Sequence, residues 1–158
     1  MSISITNPAD EVSTATETHN NTSNAAATEI TAGKPVTTQA PADFPVGYLE
    51  YGYKTAEGKC DLRFVSSYAI EIATKLAPMD KERFRAFYRE LDLSVREPLD
   101  EKQKLLHQLT ARAYKIVQLG KAPKIFWEFM KYNAEMVVDH KSYSDFLDHV
   151  EAVYCFMN

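Results

Sequence analysis

The sequence predicts an all-α fold, a compact five-helix bundle with a disordered N-terminal tail. Three observations predict it. Residues 1–43 contain no aromatic side chain, and 25 of those 43 are Ser, Thr, Asn or Ala. From Asp61 onward, apolar residues recur at spacings of three and four, the repeat of one helix face. Only short linkers separate the successive amphipathic stretches, which implies antiparallel neighbours. No strand alternation competes between residues 61 and 158, and there is no internal repeat or long heptad run.

The tail, residues 1–43, has too little bulky apolar surface to offset the entropy of ordering it. All eight Phe, nine Tyr and the one Trp lie from Phe44 onward. That leaves roughly 115 residues, enough for one modest core. Residues 44–60 form an aromatic and glycine-containing strap. Pro45, Gly47, Gly52 and Gly58 punctuate it and argue against a helix. Its tyrosines, Tyr48, Tyr51 and Tyr53, pack on their own domain or meet a partner.

Residues 61–158 are the helical bundle domain. Asp61 is placed to cap a first helix over about 62–77, with Leu62, Val65, Ala69, Ile72 and Leu76 inward. Pro78 ends it. Asp80 caps a second helix over about 81–91, whose apolar side is Phe84, Phe87, Tyr88 and Leu91. A third helix spans about 99–119, with Gly120 at its C′ position. Pro123 opens a fourth, to about His140, with Phe126, Trp127, Met130, Ala134 and Val137 inward. Ser142 and Asp145 suit the start of a fifth, about 143–156, with Phe146, Leu147, Val150, Val153, Tyr154 and Met157 to one side.

Charge is unevenly distributed. Residues 1–57 hold two Lys against seven Asp/Glu, and residues 58–158 hold sixteen Lys/Arg against fifteen. The net charge of −4 therefore comes from the N-terminal part. The run Lys102–Lys124 inverts it: six Lys/Arg and no Asp or Glu. At about 100° per residue, Leu105, Leu106, Leu109, Ala113, Ile116 and Val117 share one sector, while Lys104, Gln108, Arg112 and Lys115 share another. Lys102 falls within the apolar sector. On the second helix Lys81, Arg85 and Arg89 follow one another at intervals of four, and Lys121 and Lys124 lie in the turn after the third. These eight cations, Lys81, Arg85, Arg89, Lys104, Arg112, Lys115, Lys121 and Lys124, suit a phosphate backbone, which spaced Lys and Arg contact without reading bases. They equally suit a solvated helix surface. No helix-turn-helix or RNA-recognition signature is present.

Catalytic patterns are missing. The sequence has no G-x-S-x-G, no phosphate-binding glycine loop and no dinucleotide fingerprint. His19, His107, His140 and His149 make no i, i+4 pair, and Cys60 and Cys155 make no C-x-x-C, so neither a metal nor another cofactor is expected. His149 and Cys155, six apart, would lie on nearly opposite sides of a helix. The expectation is a non-enzyme. The N-terminus lacks a basic start and an apolar run, and no stretch approaches a membrane span. A cytoplasmic protein with free thiols and no membrane contact is therefore expected.

The C-terminal half adds a resemblance. Leu109-Thr110-Ala111-Arg112-Ala113-Tyr114, then Gly120-Lys121, Phe126-Trp127-Glu128-Phe129, and Phe146 through Tyr154 with Glu151-Ala152-Val153 are similar to the small helical subunit of type III-A (Csm-type) CRISPR–Cas effector complexes. The resemblance covers about residues 61–158. It departs at Val65–Ile70, which lacks the arginine that often opens that family's first helix, and in the long polar tail. It implies a non-catalytic subunit of an antiviral ribonucleoprotein. Several copies would stack on one another and on other subunits, and brace the guide RNA–target RNA duplex through its backbone. Guide pairing would supply the sequence specificity. The alternative is a helical adaptor whose basic face meets an acidic protein.

Overall fold

The computed structural model describes residues 40–158. Five helices carry the fold: α1 (Ser67–Leu76), α2 (Lys81–Leu93), α3 (Leu99–Gln118), α4 (Lys124–Met136) and α5 (His140–Phe156). One short extended segment, β1 (Glu50–Tyr53), lies in the strap. The all-α bundle expected from the periodicity is the fold observed. Helix α5 packs against α1, α2 and β1, and α3 pairs with α4. Most of the expected tail lies outside the described residues. Residues 40–43 do not: Ala40 packs on the core, and the Asp43 carbonyl accepts a hydrogen bond from Lys75 Nζ.

Element boundaries moved where a polar cap outweighed apolar spacing. Leu62–Val65 is a 3₁₀ turn rather than the start of α1. Asp61 accepts from the Arg63 backbone N–H at 3.0 Å and from its guanidinium at 2.6 Å, which tightens the turn. Ser66 then breaks the phase with φ −136° and ψ −103°. Leu62 and Val65 are consequently exposed, and Phe64, Tyr68 and Ala73 take their expected places in the core. Helix α4 stops at Met136 instead of reaching His140, because Asp139 caps α5. Its carboxylate accepts from Ser142 N at 2.7 Å, and Ser142 Oγ accepts from Asp139 N at 3.0 Å. This reciprocal box fixes the start of α5 three residues before the one expected from Ser142 and Asp145. Pro123 is the residue before α4 and not within its first turn.

The end of α3 follows its sequence signal. Gly120 has φ +67°. Its N–H donates to the Val117 carbonyl at 2.9 Å, and the Lys121 N–H donates to the Ile116 carbonyl at 3.1 Å. That 5→2 and 6→1 pair is a Schellman ending, which turns the chain sharply and lifts Lys121 onto the surface.

A buried polar chain fastens the strap. His149 Nδ1 lies 2.5 Å from the Phe64 carbonyl, which can only accept, so Nδ1 carries the proton. The Tyr48 hydroxyl then donates to Nε2 at 2.8 Å and accepts from Asn133 Nδ2 at 2.8 Å. Asn133 Oδ1 accepts from the Tyr53 hydroxyl at 2.8 Å, and its amide also donates to the Phe129 carbonyl at 2.8 Å. Every member is paired, as burial requires. Burial drives the His149 pKa down to about 4, opposed in part by its bond to the Phe64 carbonyl, so the ring is neutral. Burial raises both tyrosine hydroxyls above the ordinary phenol range. Tyr48 and Tyr53 therefore pack on their own domain, and Tyr51 between them is half-buried. Between them, Leu49 is held at φ +58°, a conformation that costs a non-glycine residue about 1–2 kcal/mol. Burying its side chain offsets roughly that much.

Candidate nucleic-acid interface

Helix α3 presents its cations as an amphipathic helix must. Leu106, Leu109 and Ala113 are buried, with Leu105, Ile116 and Val117 packed beside them. Lys104, Gln108 and Lys115 are exposed on the outer side. Lys102 is only 3 % exposed, in keeping with its place in the apolar sector. Its ammonium lies 3.0 Å from His140 Nδ1 and 4.7 Å from the centre of the Tyr143 ring. Tyr143 is itself buried, its hydroxyl donating to the Leu91 carbonyl at 2.7 Å, and burial pushes its pKa up to about 12.

The eight candidate cations do not share one environment. Arg112 reaches across to α2 and donates to both oxygens of Glu90 at 2.7 Å, with its guanidinium 5.0 Å from the Phe87 ring. Lys124 lies 2.6 Å from Glu128, whose carboxylate is nearly buried while the lysine is exposed. That hydrogen bond raises the Lys124 pKa and keeps the ammonium charged. Lys81 donates to the Met157 carbonyl and sits 5.0 Å from the Tyr154 ring. Arg85 pairs with Glu82 at 3.2 Å, and Lys104 with Glu101 at 3.6 Å, both between largely exposed side chains. Such pairs hold little energy and release their cations readily. Arg89, Lys115 and Lys121 are exposed and have no ion-pair partner among the described residues.

The two basic ridges are separated. Arg83 donates to the Lys121 carbonyl at 2.7 Å and Glu90 meets Arg112, so these two mark the side of α2 that faces α3. Arg85 and Arg89 lie roughly 100–150° round α2 from that side. What remains together is a strip along α3 and its following turn: Lys104, Lys115 and Lys121, with Arg112 at its edge. A polar groove at the opposite end, lined by Ser94, Glu97, Glu101, Lys104, Leu105 and Gln108, mixes both signs of charge.

The sequence singles out Tyr48 and Tyr53 as strap residues, but it gives no sign of the polar interior that they form with Asn133 and His149. Only the burial of Asn133 and His149 had a signal. Asn133 follows Phe129 by four and Met130 by three, and His149 follows Phe146 by three and precedes Val153 by four, so each lies within its helix's apolar sector.

Among the described residues no group of three or more His, Cys, Asp or Glu could hold a metal ion. Cys60 and Cys155 are free and exposed, and His149 is buried away from Cys155. No helix among the described residues is long and apolar enough to cross a membrane. Comparisons with protein-family models, with curated proteins and with solved structures returned no match.

Proposed function

We propose that this protein is a small, non-catalytic subunit of an RNA-guided CRISPR interference ribonucleoprotein of the type III-A kind. In this reading several copies stack along the complex and brace the guide RNA–target RNA duplex through its phosphates. The observation that carries it is the strip Lys104, Lys115 and Lys121 on the outer side of α3 and its turn. Lys115 and Lys121 are exposed without a carboxylate partner among the described residues, in a run that holds no acid from Lys102 to Lys124. Spaced lysines on a helix and its following turn neutralise phosphates along a backbone and release counterions, without reading bases. The resemblance in the sequence supplies the biological setting.

The test is RNA binding against salt. Replacing Lys104, Lys115 and Lys121 together by Gln is expected to weaken binding to every sequence alike. The slope of log affinity against log salt should flatten by about 0.9 for each duplex phosphate that is no longer neutralised. An unchanged slope for the triple variant rejects the assignment.

A second reading has its own support. Arg112 and Lys124 already meet Glu90 and Glu128 within the chain, which shows that this surface accommodates carboxylates. That supports a helical adaptor whose basic face binds an acidic protein. Purification from the native host separates the two: nuclease-protected RNA of uniform length supports the first, and an acidic protein partner without RNA supports the second.

A further inference from the structure

One aromatic pair lies beside the α3 strip, at the edge of the core. Tyr114 of α3 is 46 % exposed, although it is a large ring on a bundle helix. Trp127 of α4, the chain's one tryptophan, is half-buried. Their ring centres lie 5.2 Å apart with planes at 66°. Lys131, one turn beyond Trp127, sits 5.7 Å from that ring and 5.3 Å from Tyr132. Glu128 and Glu135 flank Lys131 at helical spacing, yet Lys131 has no ion pair among the described residues, and Glu128 is held by Lys124. The ammonium rests over rings instead of carboxylates.

Position ties this pair to the cation strip. Tyr114 immediately precedes Lys115, about 100° round the helix from it. The turn carrying Lys121 leads from the end of α3 into α4, and so from one ring to the other. Aromatic faces interleaved with lysines are what a single-stranded polyanion with flat bases requires. Any base can stack on a ring, and the lysines follow its backbone. A phosphate drawing Lys131 aside would uncover the face of Trp127.

We propose that Tyr114 and Trp127 form a stacking platform for an unpaired base of single-stranded RNA whose phosphates run along Lys115 and Lys121. The proposal rests on the phosphate-binding reading above and adds to it a preference for unpaired nucleotides at this edge.

Trp127 reports on the platform by its own fluorescence. The full chain is titrated with a short oligouridylate and with double-stranded RNA of the same length. Anisotropy of the labelled RNA follows binding, and quenching of Trp127 follows stacking. The single strand is expected to bind and quench, and the duplex to bind without quenching. Tyr114→Ala should weaken single-strand binding about tenfold, leave duplex binding unchanged, and be rescued by Tyr114→Phe. Single-strand binding without quenching overturns the platform and leaves the phosphate reading standing. So does a Tyr114→Ala variant that weakens both RNAs or neither. If neither RNA binds, the phosphate reading fails and the platform fails with it.

Discussion

The underside of the strap and the outer side of α3 treat polar groups in opposite ways. Beneath the strap, His149, Asn133, Tyr48 and Tyr53 are buried, uncharged and fully paired. On α3 and the turn after it, Lys115 and Lys121 are exposed, with no carboxylate held against them among the described residues. A buried polar group left unpaired costs about 1–3 kcal/mol, whereas an exposed lysine costs nothing to leave open to water. The first arrangement specifies the fold, and the second is free to engage a ligand. Lys102 and Lys115 repeat the contrast within one helix: same residue type, thirteen positions apart, one seated against His140 and Tyr143 and the other in solvent.

Acid tests the buried side first and has the largest expected effect. The folded-state pKa of His149 is lowered to about 4 from 6.5. Its contribution to stability is therefore complete above pH 6.5 and is lost as pH falls from there toward 4, because only the unfolded chain takes up the proton. The loss should approach roughly 1 kcal/mol per pH unit across that window. Urea unfolding midpoints measured from pH 7 to pH 4 check this, and His149→Gln should remove that part of the slope while lowering stability throughout.

Next in size is the turn that lifts Lys121. Gly120→Ala places a side chain at φ +67° with open space around it, so the cost is backbone strain alone, about 1 kcal/mol. Thermal unfolding reads the loss. Weaker RNA binding by the still-folded variant would tie the turn to the α3 strip.

The smallest effect sharpens the surface side. Glu90→Gln removes the carboxylate that holds Arg112. Both partners are more than a third exposed, so stability should fall by no more than about 0.5 kcal/mol. Affinity for RNA should rise, since one more cation joins the strip. A fall in affinity would mean that Glu90 positions Arg112 for the ligand and does not compete with it.

Periodicity made most of the bundle legible. Phe84, Phe87 and Leu91 on α2, and Leu106, Leu109 and Ala113 on α3, are buried where their spacing put them. It also placed Lys102 inside. The two larger misplacements, at the start of α1 and between α4 and α5, share one cause: local hydrogen bonds outweighed apolar spacing at Asp61 and Asp139. The partners of the cations were legible only within a helix. Arg85–Glu82 and Lys104–Glu101 are three apart and can be read from a helical wheel, but Arg112 and Glu90 are 22 apart and meet only once α2 and α3 dock. The strap's fastening was hidden for the same reason, since Tyr48 and Tyr53 find Asn133 and His149 only in the assembled bundle.

That fastening also sets the order in which the chain can fold. Tyr48 and His149 are 101 residues apart, and Tyr53 and Asn133 are 80 apart. Pairings of such long range form slowly, because the loop between them must close before they contribute. Helices α3 and α4, neighbours along the chain, can pair early. The strap has no complete seat until Asn133 of α4 and His149 of α5 have been brought to it. Until then the strap's rings have only near neighbours such as Phe64 and Tyr68 to pack against, and incompletely covered apolar surface of that kind is what aggregates or is held by a chaperone.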